Sequence, residues 1–90
     1  MSVQIIFYHT TDCHLCDVAE AMISPLLVVS GLVAEAIDVA EDLDAFERFG
    51  MKIPVLYFPQ TDISVLWPFD ENEVVRLFNE VGQAERRSTT

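Results

Sequence analysis

Basic residues are scarce in this chain: five Lys and Arg stand against fifteen Asp and Glu, a formal net charge of −10. Nucleic acid is disfavoured as a partner, because neutralising a phosphate backbone takes clustered Lys and Arg. Anionic membrane surfaces are disfavoured for the same reason. Charge of this size serves solubility and draws basic partners. Glycine is also sparse, at three residues, while 51% of the chain is hydrophobic, so a compact two-layer core is well within reach and disorder is not expected before the end of the chain. No apolar run approaches the ~20 residues of a membrane span. The N-terminus lacks the basic start, apolar core and cleavage site of a signal peptide, which makes the cytoplasm the expected compartment. At 90 residues a single domain is expected, since dividing the chain would leave cores too small to stand alone.

Cysteine is nearly absent as well, and the two present share one motif, Cys13-His14-Leu15-Cys16. Thiols three positions apart can close a small disulfide ring without a large backbone change. In a reducing compartment such a pair reads as a redox or metal motif rather than a structural staple. The motif follows the apolar run Val3-Gln4-Ile5-Ile6-Phe7-Tyr8. A C-x-x-C that leaves a strand and opens a helix sets its first sulfur among unpaired backbone N–H groups, where a thiolate is favoured. The thiolate is the nucleophile of thiol–disulfide exchange. The negative background works the other way and raises thiol pKa.

Val3 to Tyr8 reads as a buried strand, and His9 to Asp12 as a polar turn. Asp12 is the expected N-cap of a helix from Cys13, with Leu15, Val18, Ala19, Met22, Ile23 and Leu26 as its apolar stripe. Pro25 is expected to kink that helix or end it early, and Ser30-Gly31 to close it. A second strand is expected over Leu32–Val39. A short acidic helix follows over Glu41–Phe49, with Leu43, Phe46 and Phe49 on one face, stopped by Gly50. Met51–Phe58 and Ile63–Trp67 read as two more strands, joined by a short turn that makes them an antiparallel hairpin. Asn72–Val81 reads as the last helix, with Val74, Leu77, Phe78 and Val81 inward. The domain is therefore expected over residues 1–82, with 83–90 as a frayed tail. The order β-α-β-α-β-β-α, with a right-handed first crossover, gives an α/β fold: a mixed four-stranded sheet flanked by three helices.

The run Tyr8-His9-Thr10-Thr11-Asp12-Cys13-His14-Leu15-Cys16, with Lys52-Ile53-Pro54 about forty residues later, resembles the thioredoxin superfamily and within it a glutaredoxin-like protein. The resemblance implies a thioredoxin-like fold and a thiol–disulfide oxidoreductase, with Cys13 as nucleophile and Cys16 as the resolving thiol. It implies that Pro54 is a cis-proline beside the cysteines, leaving the backbone of Ile53 free to pair with an extended peptide or with glutathione. His14, as an imidazolium, would favour the neighbouring thiolate; His9 is read as structural, capping the turn. Lys52 and Arg48 are the bases expected to meet a carboxylate near Pro54, Phe69 is a groove candidate, and Asp70 could hold a ligand amine.

Two departures bear on the substrate. Many glutaredoxins carry a lysine where this chain has Thr10, and a Gly-Gly turn where it has Trp67-Pro68-Phe69. The expected partners are a disulfide-containing protein or a small thiol, with no nucleic acid and no membrane, and the chain is expected to act as a monomer. No bound cofactor or metal is implied, and glutathione is a weakly supported co-substrate. Two other readings stay open: an adaptor domain that keeps the fold without redox turnover, and a metal or iron–sulfur carrier built on the Cys and His residues.

Overall fold

The computed structural model describes residues 4–88. Its elements run β1 (Ile6–His9), α1 (His14–Ser30), β2 (Glu35–Asp38), a 3-10 turn (Val39–Glu41), α2 (Leu43–Phe49), β3 (Val55–Phe58), β4 (Ile63–Leu66) and α3 (Glu71–Ser88). The four strands form one sheet in the order β2-β1-β3-β4. β1 pairs parallel with β2 and antiparallel with β3, and β3 pairs antiparallel with β4. This is the mixed four-stranded sheet with three helices that the sequence pattern implies.

The apolar runs are continuous because both faces of the sheet are covered. Successive strand side chains point to opposite faces. Ile5, Phe7, Leu56, Phe58 and Val65 accordingly pack with Cys16, Ala19 and Ile23 of α1 and Val74, Leu77 and Phe78 of α3. Ile6, Tyr8 and Val55 pack on the other side with Val39 and with Ala45 and Phe49 of α2. The core is therefore double, in three layers, with the sheet between the helices of its two faces. On the second face Tyr8 stacks on Phe49 at 4.7 Å between ring centroids, and burial pushes its phenol pKa up against the opposing pull of Arg48.

Several elements differ from their sequence reading. Each strand keeps only four residues in regular pairing; flanking apolar residues such as Ile5 and Ile53 pack on the core from outside the strands. Val3 lies outside the described residues. Helix α1 passes straight through Pro25 to Ser30. Pro25 lies on the exposed face, as does Ala21, whose carbonyl loses its partner there, so water can serve it. The helix ends as expected at Gly31, in the left-handed region at φ 68°. There the Gly31 and Leu32 amides donate to the Val28 and Leu27 carbonyls at 3.1 and 3.0 Å.

The apolar stripe of α1 is also turned from the expected one. Cys16, Ala19 and Ile23 are buried, whereas Leu15 and Val18 are 49% and 40% exposed. In α2 the buried residues are Ala45 and Phe49. Leu43 and Phe46, expected inward, are 72% and 52% exposed, because a seven-residue helix lying on a sheet can bury only its near side. Gly50 follows α2 as its C-cap, where a side chain has no room: a Cβ would lie 2.5 Å from the Phe46 carbonyl oxygen and 2.9 Å from its ring. Helix α3 buries Val74, Leu77 and Phe78 as expected but continues to Ser88, into the segment read as a tail. Gln83, Ala84, Glu85, Arg86 and Arg87 are good helix formers, and such propensity extends a helix after its apolar pattern stops.

Phe78, at 1% exposure, should lose about 3–5 kcal/mol of stability on Phe78→Ala. Leu43→Ala should stay within about 0.5 kcal/mol of the native chain. Urea unfolding followed by circular dichroism checks both, and a large loss at Leu43 would mean that α2 docks by its other face.

Candidate active site

β1 delivers the chain to Thr10 at the rim of the sheet, and β2 ends beside it: His9 and Asp38 are register partners. The Thr10 hydroxyl donates to Asp38 Oδ1 at 2.9 Å and the Thr11 hydroxyl to Oδ2 at 3.3 Å. The Ala40 amide donates to Oδ1 at 2.9 Å. The Ala40 N–H first, then the Thr10 hydroxyl, holds the Asp38 carboxyl below its ordinary pKa. Asp12 follows at φ 59°, in the left-handed region.

Cys13, not Asp12, is the N-cap of α1. Its backbone is extended (φ −105°, ψ 102°), its Sγ accepts from the Cys16 amide at 3.1 Å, and its carbonyl accepts from the Asp17 amide at 3.1 Å. Sequence pattern favours Asp12 because carboxylates are common caps and thiols are not; the left-handed turn at Asp12 moves the start one residue on. Cys13 and Cys16 are joined in a disulfide with Cα atoms 5.2 Å apart. Cys13 is half-buried, while Cys16 is 3% exposed and lies in the core.

The Ile53–Pro54 bond is cis, as the resemblance implies, and Trp67–Pro68 is cis as well, which no sequence signal marked. Ile53, Trp67 and Cys13 pack against the same core that contains Cys16 and Phe69. The two cysteines and the Pro54 loop therefore meet over one cluster. The Ile53 amide is not free, since it donates to the Phe49 carbonyl at 3.1 Å. The Pro54 carbonyl accepts from the Trp67 amide at 3.2 Å, which ties the two cis-proline loops together. His14 and Lys52 are exposed.

Other candidates have structural partners. Phe69 is buried, 8% exposed, and packs edge-on against Trp67 at 5.3 Å, so it is core rather than groove wall. Asp70 caps α3: its Oδ1 accepts from the Asn72 amide at 3.1 Å and its carbonyl from the Val74 amide at 3.0 Å. Arg48 lies 4.8 and 5.0 Å from the Phe49 and Tyr57 ring centroids and 3.7 Å from Asp62. That sets it against the aromatic second face of the sheet instead of leaving it to serve a ligand near Pro54. His9 stacks on Phe7 at 5.8 Å and is the last residue of β1 rather than a cap. Asp38 is the residue that sequence reasoning missed; its place at the end of β2 was visible, but its reach to Thr10 and Thr11 was not. Among the described residues no three His, Cys, Asp or Glu side chains converge as a metal site, and no helix is long and apolar enough to cross a membrane.

Comparison with known proteins agrees with this geometry. Residues 4–79 match the family model described as Glutaredoxin-like domain. The X-ray structure of target protein XcR50 from X. campestris superposes with a TM-score of 0.69 at 24% identity, covering 84% of this chain and 96% of that one. The solution structure of protein Ne2328 from Nitrosomonas europaea superposes at 0.68 and 20% identity, covering 87% and 92%. At these identities both speak for the fold alone. No curated protein gives a match.

Because the folded-state pKa of Asp38 is depressed, the stability it adds is present above the unfolded carboxylate value of about 3.9 and lost as pH falls through the lower folded value. The stability gap between the native chain and Asp38→Ala should be flat near neutrality and narrow in acid. Thermal melts across that range check it, and a gap that widens in acid would contradict the assignment.

Proposed function

This chain belongs to the glutaredoxin-like domain family, and from that membership we propose that it is a thiol–disulfide oxidoreductase working through Cys13 and Cys16. The observation that carries the proposal is the placement of Cys13 Sγ, which accepts the Cys16 N–H at the start of α1 and is the more accessible sulfur of a pair whose other member is buried. An N–H donor and a helix N-terminus both favour thiolate over thiol.

In the reduced protein the Cys13 thiolate attacks one sulfur of a substrate disulfide. An S–S bond forms between Cys13 and the substrate, and the other substrate sulfur leaves as a thiolate and takes up a proton. Cys16, deprotonated, then attacks Cys13 Sγ, closes the Cys13–Cys16 disulfide and releases the second substrate thiol. Two electrons pass from the protein to the substrate, and an external thiol or dithiol donor restores them. Ile53 and Pro54 support substrate docking beside the sulfurs, with the Ile53 amide already engaged by Phe49. His14 and Lys52 supply the exposed polar contacts, and His14 in its charged form would favour the Cys13 thiolate.

The preferred substrate is a disulfide-bearing protein, with glutathione a poor partner. Arg48 is committed to Asp62 and its aromatic neighbours, Thr10 is bound to a carboxylate, and a chain of charge −10 repels an anionic tripeptide.

Equilibration with a glutathione buffer should give a midpoint between about −270 and −120 mV; a pair that never oxidises would sink the proposal. Cys16→Ala should accumulate mixed disulfides at Cys13, and Cys13→Ser none. Partners held equally by Cys13→Ser would mark an adaptor instead. Glutathione-coupled turnover should be slow, rise with added salt as repulsion is screened, and fall on Lys52→Ala. Fast turnover indifferent to salt would place glutathione recognition on other residues.

A further inference from the structure

We infer that Asp38 is a positioning residue for Cys13: by accepting from the hydroxyls of Thr10 and Thr11 it holds the turn that sets the sulfur at the start of α1. The inference rests on the exchange reading above and identifies the device that keeps its nucleophile in place.

Both carboxylate oxygens of Asp38 are used. Oδ1 accepts from Thr10 and from the Ala40 amide, and Oδ2 from Thr11. The Ala40 amide anchors the carboxylate to the 3-10 turn that follows β2, so the acceptor is itself fixed before it reaches across. The held residues lead directly into Asp12 at φ 59°. A left-handed non-glycine residue is disfavoured, somewhat less so for Asp, so an outside tie helps to hold this turn. One residue later Cys13 takes the extended conformation that points its Sγ at the Cys16 amide. A strand at the sheet edge is thereby coupled to the sulfur through two hydroxyls.

Charge and geometry act in opposite directions here, which allows them to be separated. A carboxylate near Cys13 disfavours its thiolate, while the turn it holds favours that thiolate through the Cys16 N–H. Thr10→Val with Thr11→Val removes both hydroxyl donors and changes no charged or titratable side chain. His9, Asp12, His14 and Asp17 of the turn and helix start, Asp38 at the end of β2, Glu41 of the 3-10 turn and Lys52 before Pro54 all stay in place. Asp38→Asn does the converse. Its carbonyl still accepts from Thr10 and Ala40, its amide can donate to the Thr11 hydroxyl, and the charge is gone.

The test is the pH profile of iodoacetamide alkylation at Cys13 in the reduced protein, read by mass spectrometry, with the midpoint potential measured alongside. Losing one N–H bond to a thiolate corresponds to about one pKa unit. The Thr10→Val/Thr11→Val chain should therefore show about tenfold less thiolate below its pKa than the native chain. Asp38→Ala should move the same way, and Asp38→Asn should stay at or slightly below the native profile. If the double variant does not fold, Thr10→Val alone, which loses the shorter bond, should shift the profile in the same direction. A folded threonine variant with a native profile overturns the inference, as does an upward shift in Asp38→Asn as large as that of the threonine variants. Failure of the exchange reading is seen separately, as a native Cys13–Cys16 pair that takes no electrons from the buffer.

Discussion

The hydrogen bond from the Cys16 amide to Cys13 Sγ joins the fold to the chemistry. Helices need an acceptor for their first amides, and hydroxyls or carboxylates usually supply it. Here a sulfur does so, and the group that completes α1 is also the one to which the exchange proposal gives the role of nucleophile. The arrangement requires a turn that ends one residue past Asp12, a neighbouring strand end to hold that turn, and a helix long enough to anchor both. α1 meets the last requirement by burying Ala19 and Ile23 deep in the core.

Two-sided coverage of the sheet makes room for this. Helices α1 and α3 close one face and α2 the other, so the rim at the end of β1 faces neither core and can carry the turn that leads to Cys13. The Pro54 loop reaches that rim from β3. Its ties, the Ile53 amide to Phe49 and the Trp67 amide to the Pro54 carbonyl, come from α2 on one side and from the approach to α3 on the other. Elements from both layers thus converge on the neighbourhood of one sulfur. The aromatic group of Tyr8, Phe49 and Tyr57, with Arg48 over the latter two rings, steadies α2 from behind.

Much of this was legible in the sequence, and the physics explains where legibility ended. Continuous β-branched and aromatic runs marked the strands, and Gly31 marked the end of α1 because few other residues accept its φ. The element order and the Cys13, Cys16 and Pro54 frame were sufficient for the family. What failed were inferences that needed to know which side of an element meets its neighbour. Leu15, Val18, Leu43 and Phe46 fit apolar stripes, yet periodicity cannot say how far a helix is rotated about its axis. Phe69, Asp70 and Arg48 have the chemistry of ligand contacts, and each also has a structural partner, a core, a helix start and a ring stack, that no local pattern encodes. Asp38 escaped notice because its partners lie twenty-eight and twenty-seven positions away, and no local pattern encodes that reach.

Sulfur as a helix cap has an evolutionary consequence. Serine or aspartate at position 13 would cap α1 as well as cysteine does, so a single substitution there could remove the proposed exchange chemistry and leave the fold standing. Position 16 has no such freedom, because a hydroxyl or charge in that apolar setting would be left without a good partner. Lineages that drift from exchange toward plain binding should therefore change the outer cysteine first and keep an apolar residue or cysteine at the inner one. A chain of this fold with a lone cysteine at the inner position would then mark descent from an exchanger that has lost its nucleophile.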